Sequence, residues 1–281
     1  MGTHYIPQHY LKGFTDPHAP SLIWVYEKGK PEPFRTNVKN IAHETDYYPD
    51  DVEQYLANTI EWPAQPVIDK IRKQELITPQ DKARLAAYMV VMLKRVPRSR
   101  ERRREMSPGI IDSVFGDLEM QLAELLAAEP TNEVLLRRRD EVKQLRAKYE
   151  AEIPREIDHQ LLPPETSPRL LAALQEMTWL FWVHDKEPVF LTSDNPVFYF
   201  EGIGVGQEHS EVTFPISSHI VLWATWRRNQ LEEYVRIRET LIRELNRRTA
   251  SAATRYVFHR SAEPWVMKLL NRRRHRLNRI S

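Results

Sequence analysis

A chain of 281 residues, 41% hydrophobic and 28% charged, is long enough to bury a sizeable core and too apolar to remain disordered. It contains no cysteine, which excludes disulfides, thiolate metal sites and cysteine nucleophiles. The net charge of +2 hides an asymmetry: residues 225–281 hold 15 Lys and Arg against 5 Asp and Glu, so the remainder is acidic. A basic end of this kind can attract phosphates, or it can be Arg-rich helix faces turned to water.

The opening Met1-Gly2-Thr3-His4-Tyr5 lacks a basic segment followed by an apolar one, and Ile6 stands where a myristoylation signal wants Ser or Thr. The strongly apolar stretch Leu85–Leu93 falls far short of the ~20 residues that cross a bilayer. These features lead to the expectation of a cytoplasmic protein without a membrane segment.

In chain order, Leu22–Tyr26 is β-branched and aromatic and reads as a strand, with Glu27-Lys28-Gly29-Lys30-Pro31 turning the chain after it. A second extended piece is expected within Val38–Tyr48. Asp50 or Asp51 can cap a helix running to about Arg72, bent near Trp62-Pro63 and Pro66. Thr78-Pro79-Gln80-Asp81 combines a capping hydroxyl, a proline at the first helical position and an acid three residues after the cap. Leu85, Met89, Met92 and Val96 then form an apolar stripe, and Pro97 should kink or end that helix.

The middle of the chain reads as a helical hairpin at about 110–153, broken at Glu129-Pro130-Thr131-Asn132, which can pack within the chain or join two copies. Another helix is predicted from Ser167 to about His184. Strands are predicted at Val189–Thr192, Val197–Phe200, Val212–Phe214 and Ile220–Trp223, then a helix from about Glu239 to Ala253 and a strand at Tyr256–Phe258. The expected class is α+β and helix-dominant. Its small, mostly antiparallel sheet is built from N- and C-terminal segments, with the hairpin inserted into one domain spanning 1–281.

Polar residues that could carry chemistry cluster in a few stretches. His4 and Gln8 sit in His4-Tyr5-Ile6-Pro7-Gln8, a segment able to lie in a groove instead of fraying. There His4 can act as general base or metal ligand, or be tied to Gln8 in a buried network that anchors the terminus. Glu44 and Asp46 alternate, so on an extended segment they share a face and can hold a divalent metal through oxygen, or cap the next helix. Glu53 and Glu61, eight apart, can share a helix face. Asp194, in Ser193-Asp194-Asn195-Pro196 after an apolar strand, can ligate metal or orient His4, and the same residues suit a turn. Arg95 and Arg98 belong to a basic helix face that can meet phosphates or simply be solvated. Gly202-Ile203-Gly204-Val205-Gly206 lacks the strand-then-helix setting of a nucleotide loop and reads as a hairpin loop.

The order of these stretches resembles the bacterial DUF4238 family (domain of unknown function 4238). The likeness rests on the His-Tyr-x-Pro-Gln opening, His43-Glu44-Thr45-Asp46-Tyr47-Tyr48, Glu53, Glu61, Arg95-Val96-Pro97, Thr192-Ser193-Asp194-Asn195-Pro196 and a late helix around Asn246. It is weakest across the hairpin. The resemblance implies membership and brings no reaction with it.

Two functions from different classes fit these residues. The first is a metal-dependent or acid–base hydrolase acting on nucleic acid or another phosphate-bearing substrate. In it His4, Gln8 and Asp194 are catalytic, Glu44, Asp46 and Asp194 are metal ligands, and Arg95 and Arg98 bind phosphate. The second is a non-catalytic interaction protein that uses the hairpin and the basic C-terminal region.

Overall fold

The computed structural model describes residues 2–45, 47–151, 155–185, 187, 189–227, 233–272 and 275–280. Of these, 52% are helical and 18% lie in strands, an α+β chain in which helix dominates. The chain divides into two compact units, one made of residues 1–97 and 162–281 and the other of residues 98–161.

The first unit opens with β1 (Gly2–His4), α1 (Gln8–Leu11), β2 (Leu22–Glu27), β3 (Phe34–Asn37) and β4 (His43–Thr45). β1 pairs antiparallel with β4, setting His4 opposite His43. The segment after β1 is packed into the core, with Tyr5, Ile6, Tyr10, Leu11 and Phe14 all buried. The Tyr10 hydroxyl adds polar anchors, meeting Thr192 Oγ1 at 2.6 Å and donating to the Pro215 carbonyl at 2.7 Å. Burial of five large side chains outweighs the entropy of ordering a short segment.

A helical run follows as α2 (Asp50–Tyr55), a π-helical stretch Leu56–Glu61, and α3 (Trp62–Arg72). Pro63 and Pro66 follow the π stretch. Each lacks an N–H and its ring crowds the carbonyl four residues back, so the wider π turn accommodates the change the two prolines impose. α4 (Pro79–Arg95) begins with the expected capping box: the Asp81 amide donates to Thr78 Oγ1 at 3.1 Å and the Thr78 amide donates to Asp81 Oδ2 at 3.0 Å. It ends where expected, since Val96 is extended before Pro97 (ψ 152°).

After the second unit come α8 (Pro168–Glu176), β5 (Thr178–Val183), β6 (Thr192–Ser193), β7 (Phe198–Tyr199), β8 (Glu211–Ser217), β9 (Ile220–Thr225), β10 (Tyr234–Arg236), α9 (Glu239–Ala252), β11 (Tyr256–His259) and α10 (Pro264–Leu270). Here the structure corrects the expected helix from Ser167 to His184. It stops at Glu176, and Thr178–Val183 is a strand. The cause is double-sided burial. Trp179, Phe181 and Val183 face the main core, while Leu180 and Trp182 face a second cluster with Trp223 and Ile242. A strand covered on both faces shows no alternation in sequence.

A second correction concerns the sheet. Instead of one sheet there are three among the described residues: β1-β4, β10-β5-β9-β8-β7, and β3-β2-β11-β6. The joining of the chain's two ends holds within the last of these, where β11 pairs antiparallel with β2.

The second unit contains most of α5 (Pro97–Ala128), then α6 (Glu133–Ala151) and α7 (Arg155–Gln160). α5 and α6 close on a thin core of Ile111, Phe115, Leu122 and Val142. Among the described residues no helix is long and apolar enough to cross a membrane.

Candidate functional site

The site forms where the N-terminal segment crosses the helical run. Residues Glu53, Ala57, Glu61 and Gln65 recur every four positions through the π stretch and all line one cavity of about 240 Å³. A regular α-helix would rotate this series steadily off one face, by about 40° per step. The π turn, with more residues per turn, counters that drift, and such segments recur at functional sites. Thr3, His4, Pro7, Gln8 and His9 form the opposite wall, and Tyr48 and Arg95 complete it.

Arg95 holds the two walls together. Its side chain is buried, and one terminal nitrogen pairs with Glu61 while the other donates to the His4 carbonyl. Burial works against the guanidinium charge, and the Glu61 carboxylate together with the Tyr48 and Tyr88 hydroxyls more than offsets it, holding the pKa above its ordinary value. The Arg95 carbonyl accepts from Tyr47 at 2.6 Å and from Tyr48 at 3.2 Å. Arg95 Nε is buried without a hydrogen-bond partner among the described residues.

His4 is half-buried on β1. Its Nε2 lies 3.2 Å from the Lys39 carbonyl, which can only accept, so Nε2 carries the hydrogen and Nδ1 the lone pair. Burial, then the neighbouring His43 ring at 5.3 Å, lower its pKa, so the imidazole is neutral near pH 7. His9 is shifted the same way, by burial and by Arg72. Its Nε2 stands 3.3 Å from Asp69 Oδ1. The histidine–glutamine network considered for the terminus is replaced by the His4–Lys39 contact, with Gln8 exposed on the cavity wall.

The structure thus brings His4, Gln8 and Arg95 together, with Glu53 and Glu61. It does not bring Asp194 to the cavity wall. Asp194 is buried, and its carboxylate accepts from the backbone amides of Thr254 (2.7 Å), Arg255 (2.6 Å) and Tyr256 (2.9 Å). Burial raises its pKa and the three amides pull against that rise. Its neighbours do similar work: Asn195 Nδ2 donates to the Ala252 carbonyl, so the motif clamps the turn from α9 into β11. Asn246 accepts from the Leu191 amide and donates to the Val189 carbonyl, fixing the stretch before β6 to α9.

Glu44 is exposed on β4, in register with Thr3, and Asp46 lies outside the described residues. Among the described residues no group of three or more His, Asp or Glu is placed to hold a metal ion. Arg98 does not share a helix with Arg95, because the Val96-Pro97 break separates α4 from α5. It stands 3.9 Å from Glu101 on the second unit.

Sequence reasoning did not single out Gln65 or the π stretch. The usable signal was the pair Pro63 and Pro66 just after Glu61.

The family model described as a protein of unknown function (DUF4238) matches residues 3–263. Neither a curated protein nor a solved structure matches the chain. With nearly its whole length covered, and the cavity built from the residues that carry the resemblance, the chain belongs to the DUF4238 family.

Proposed function

We propose that the His4 cavity is an acid–base hydrolytic site for a small polar group. The observation that carries this reading is the state of His4: a neutral imidazole, with Nε2 held by a backbone carbonyl, on the wall of a polar cavity. Nδ1 accepts a proton from water as the water oxygen bonds to the electrophilic centre, and that proton then passes to the leaving group. Glu53 is the second group able to exchange a proton, and Gln8 and Gln65 offer amide donors and acceptors for orientation. Arg95 and Glu61 position His4.

The substrate follows from charge and size. Both terminal nitrogens of Arg95 are occupied by Glu61 and the His4 carbonyl, and the other acidic residue of the wall is Glu53. A neutral or cationic group suits this wall better than a phosphate. About 240 Å³ is small for a whole drug-sized ligand and matches one sugar ring or one side chain. The test is turnover of neutral ester, amide and glycoside probes by wild type, His4→Gln and Glu53→Gln. Loss in both folded variants is expected. Full activity in folded His4→Gln would remove the base.

A second, non-catalytic reading is favoured by the hairpin. Met106, Ile110, Val114, Leu118 and Leu125 are all more than two-fifths exposed on α5. Residues 105–129 hold six carboxylates and no Lys or Arg, whereas α6 holds six Lys and Arg against four carboxylates. An antiparallel second copy, α5 on α6 and α6 on α5, would cover the apolar face and match the charges. Light scattering checks it: Val114→Glu with Leu118→Glu should convert a dimer to a monomer.

A further inference from the structure

A cluster of buried charge lies outside the lining of the cavity. Glu211 on β8, with Glu244 and Arg248 on α9, is buried, and the Glu211 and Arg248 side chains are wholly so. Arg248 Nη2 donates to Glu211 Oε2 at 2.7 Å, and its guanidinium faces the Phe198 and Phe200 rings at 5.5 and 5.0 Å. Burying three charged side chains is costly unless their hydrogen-bonding capacity is used.

Part of that capacity is used on backbone, while Arg248 Nε and Nη1 are buried without a hydrogen-bond partner among the described residues. The Asn278 amide donates to Glu244 Oε1 (2.8 Å), the Asn278 carbonyl accepts from Arg248 (2.6 Å), and the Ile280 amide donates to Glu211 Oε1 (2.6 Å). In extended chain, the N–H and C=O of one residue and the N–H two residues on point to the same side. Three charged side chains therefore read one edge of residues 278–280, as a neighbouring strand would. The Ile280 side chain packs against a cluster containing Trp182, Val221, Trp223 and Leu245. Asn278 and Arg279 are exposed, so their side chains add little.

Two further observations distinguish this from ordinary chain packing. Among the described residues, 275–280 lie in no strand or helix, so these side-chain contacts stand in for a ladder. The family match ends at residue 263, so it includes Glu211, Glu244 and Arg248 but not the segment they hold.

We infer that Glu211, Glu244 and Arg248 form a binding site for extended peptide, closed in this structure by the chain's own segment 278–280. The site reads backbone, and its one side-chain requirement is an apolar group at the Ile280 position. The segment is a tethered ligand that exchanges with a peptide of the same pattern.

The experiment uses full-length wild type, full-length Ile280→Asp, and a fluorescein-labelled peptide of residues 275–281. A tethered segment competes at high effective concentration. Anisotropy should therefore show the peptide binding Ile280→Asp about tenfold or more tighter than wild type, with an Ile280→Asp peptide binding neither. Equal binding to both proteins, or none to the folded variant, overturns the proposal. Should the variant not fold, hydrogen exchange on wild type decides. The Asn278 and Ile280 amides should open well below the global unfolding free energy. Exchange of both only through global unfolding makes the segment part of the fold and overturns the proposal.

Discussion

The His4 cavity and the Asp194 turn are built from the same kinds of residue, short polar motifs bordered by buried aromatics, yet they end in opposite chemical states. At Asp194 the carboxylate is taken up by three backbone amides. At the cavity the charged pair Arg95–Glu61 is also closed, but it holds a wall on which, among the described residues, the lone pair of His4 Nδ1, the Glu53 carboxylate and the Gln8 amide are left without a partner. Residue type alone does not separate an anchor from a site. Leftover hydrogen-bonding capacity on a wall that solvent or ligand can reach does.

The largest expected effect falls on the anchor. Asp194→Ala leaves three part-buried amides without their acceptor and should cost about 4 kcal/mol, with Asp194→Asn costing clearly less, as read by denaturant unfolding. A loss under about 1 kcal/mol for the alanine variant would mean that the carboxylate is not holding the turn. Next comes Glu61→Ala, which leaves the buried Arg95 charge unpaired and should cost about 3 kcal/mol. It should also weaken the proposed hydrolysis through a displaced His4. If stability drops while activity per folded molecule stays intact, the positioning role is lost.

A smaller effect follows from pH. His4 and His9 are held neutral by burial, with folded pKa values below the ordinary 6.5. A lowered histidine pKa means that the unfolded chain takes up protons first. Their contribution to stability is therefore complete above about pH 6.5 and is lost as pH falls through the folded values. Unfolding midpoints at pH 7 and pH 5 should differ in that sense, and His4→Gln should narrow the gap without closing it, since His9 remains. A gap of the opposite sign would place a charged histidine in the fold.

The smallest expected stability change is at Glu53, exposed on the cavity wall: Glu53→Gln should shift stability by less than about 0.5 kcal/mol. Its activity should nevertheless fall. That split, set beside Asp194→Ala, is the sharpest form of the contrast between the two regions.

Some of this was readable along the chain because the causes are local. The α4 capping box depends on four consecutive residues, Thr78 to Asp81, and the stop at Pro97 on the missing N–H and ring of one residue. The motif order that marks the family is likewise a property of the string. What the tertiary structure decided depends on partners far away in sequence. Thr178–Val183 becomes a strand because cores lie on both of its faces. Arg95 ties the N-terminal segment to the helical run because Glu61 and the His4 carbonyl, 34 and 91 residues away, hold its terminal nitrogens. Asp194 becomes an anchor because the turn after α9 presents three amides to it. A side chain's chemistry is what its neighbours leave unsatisfied, and the neighbours are chosen by packing.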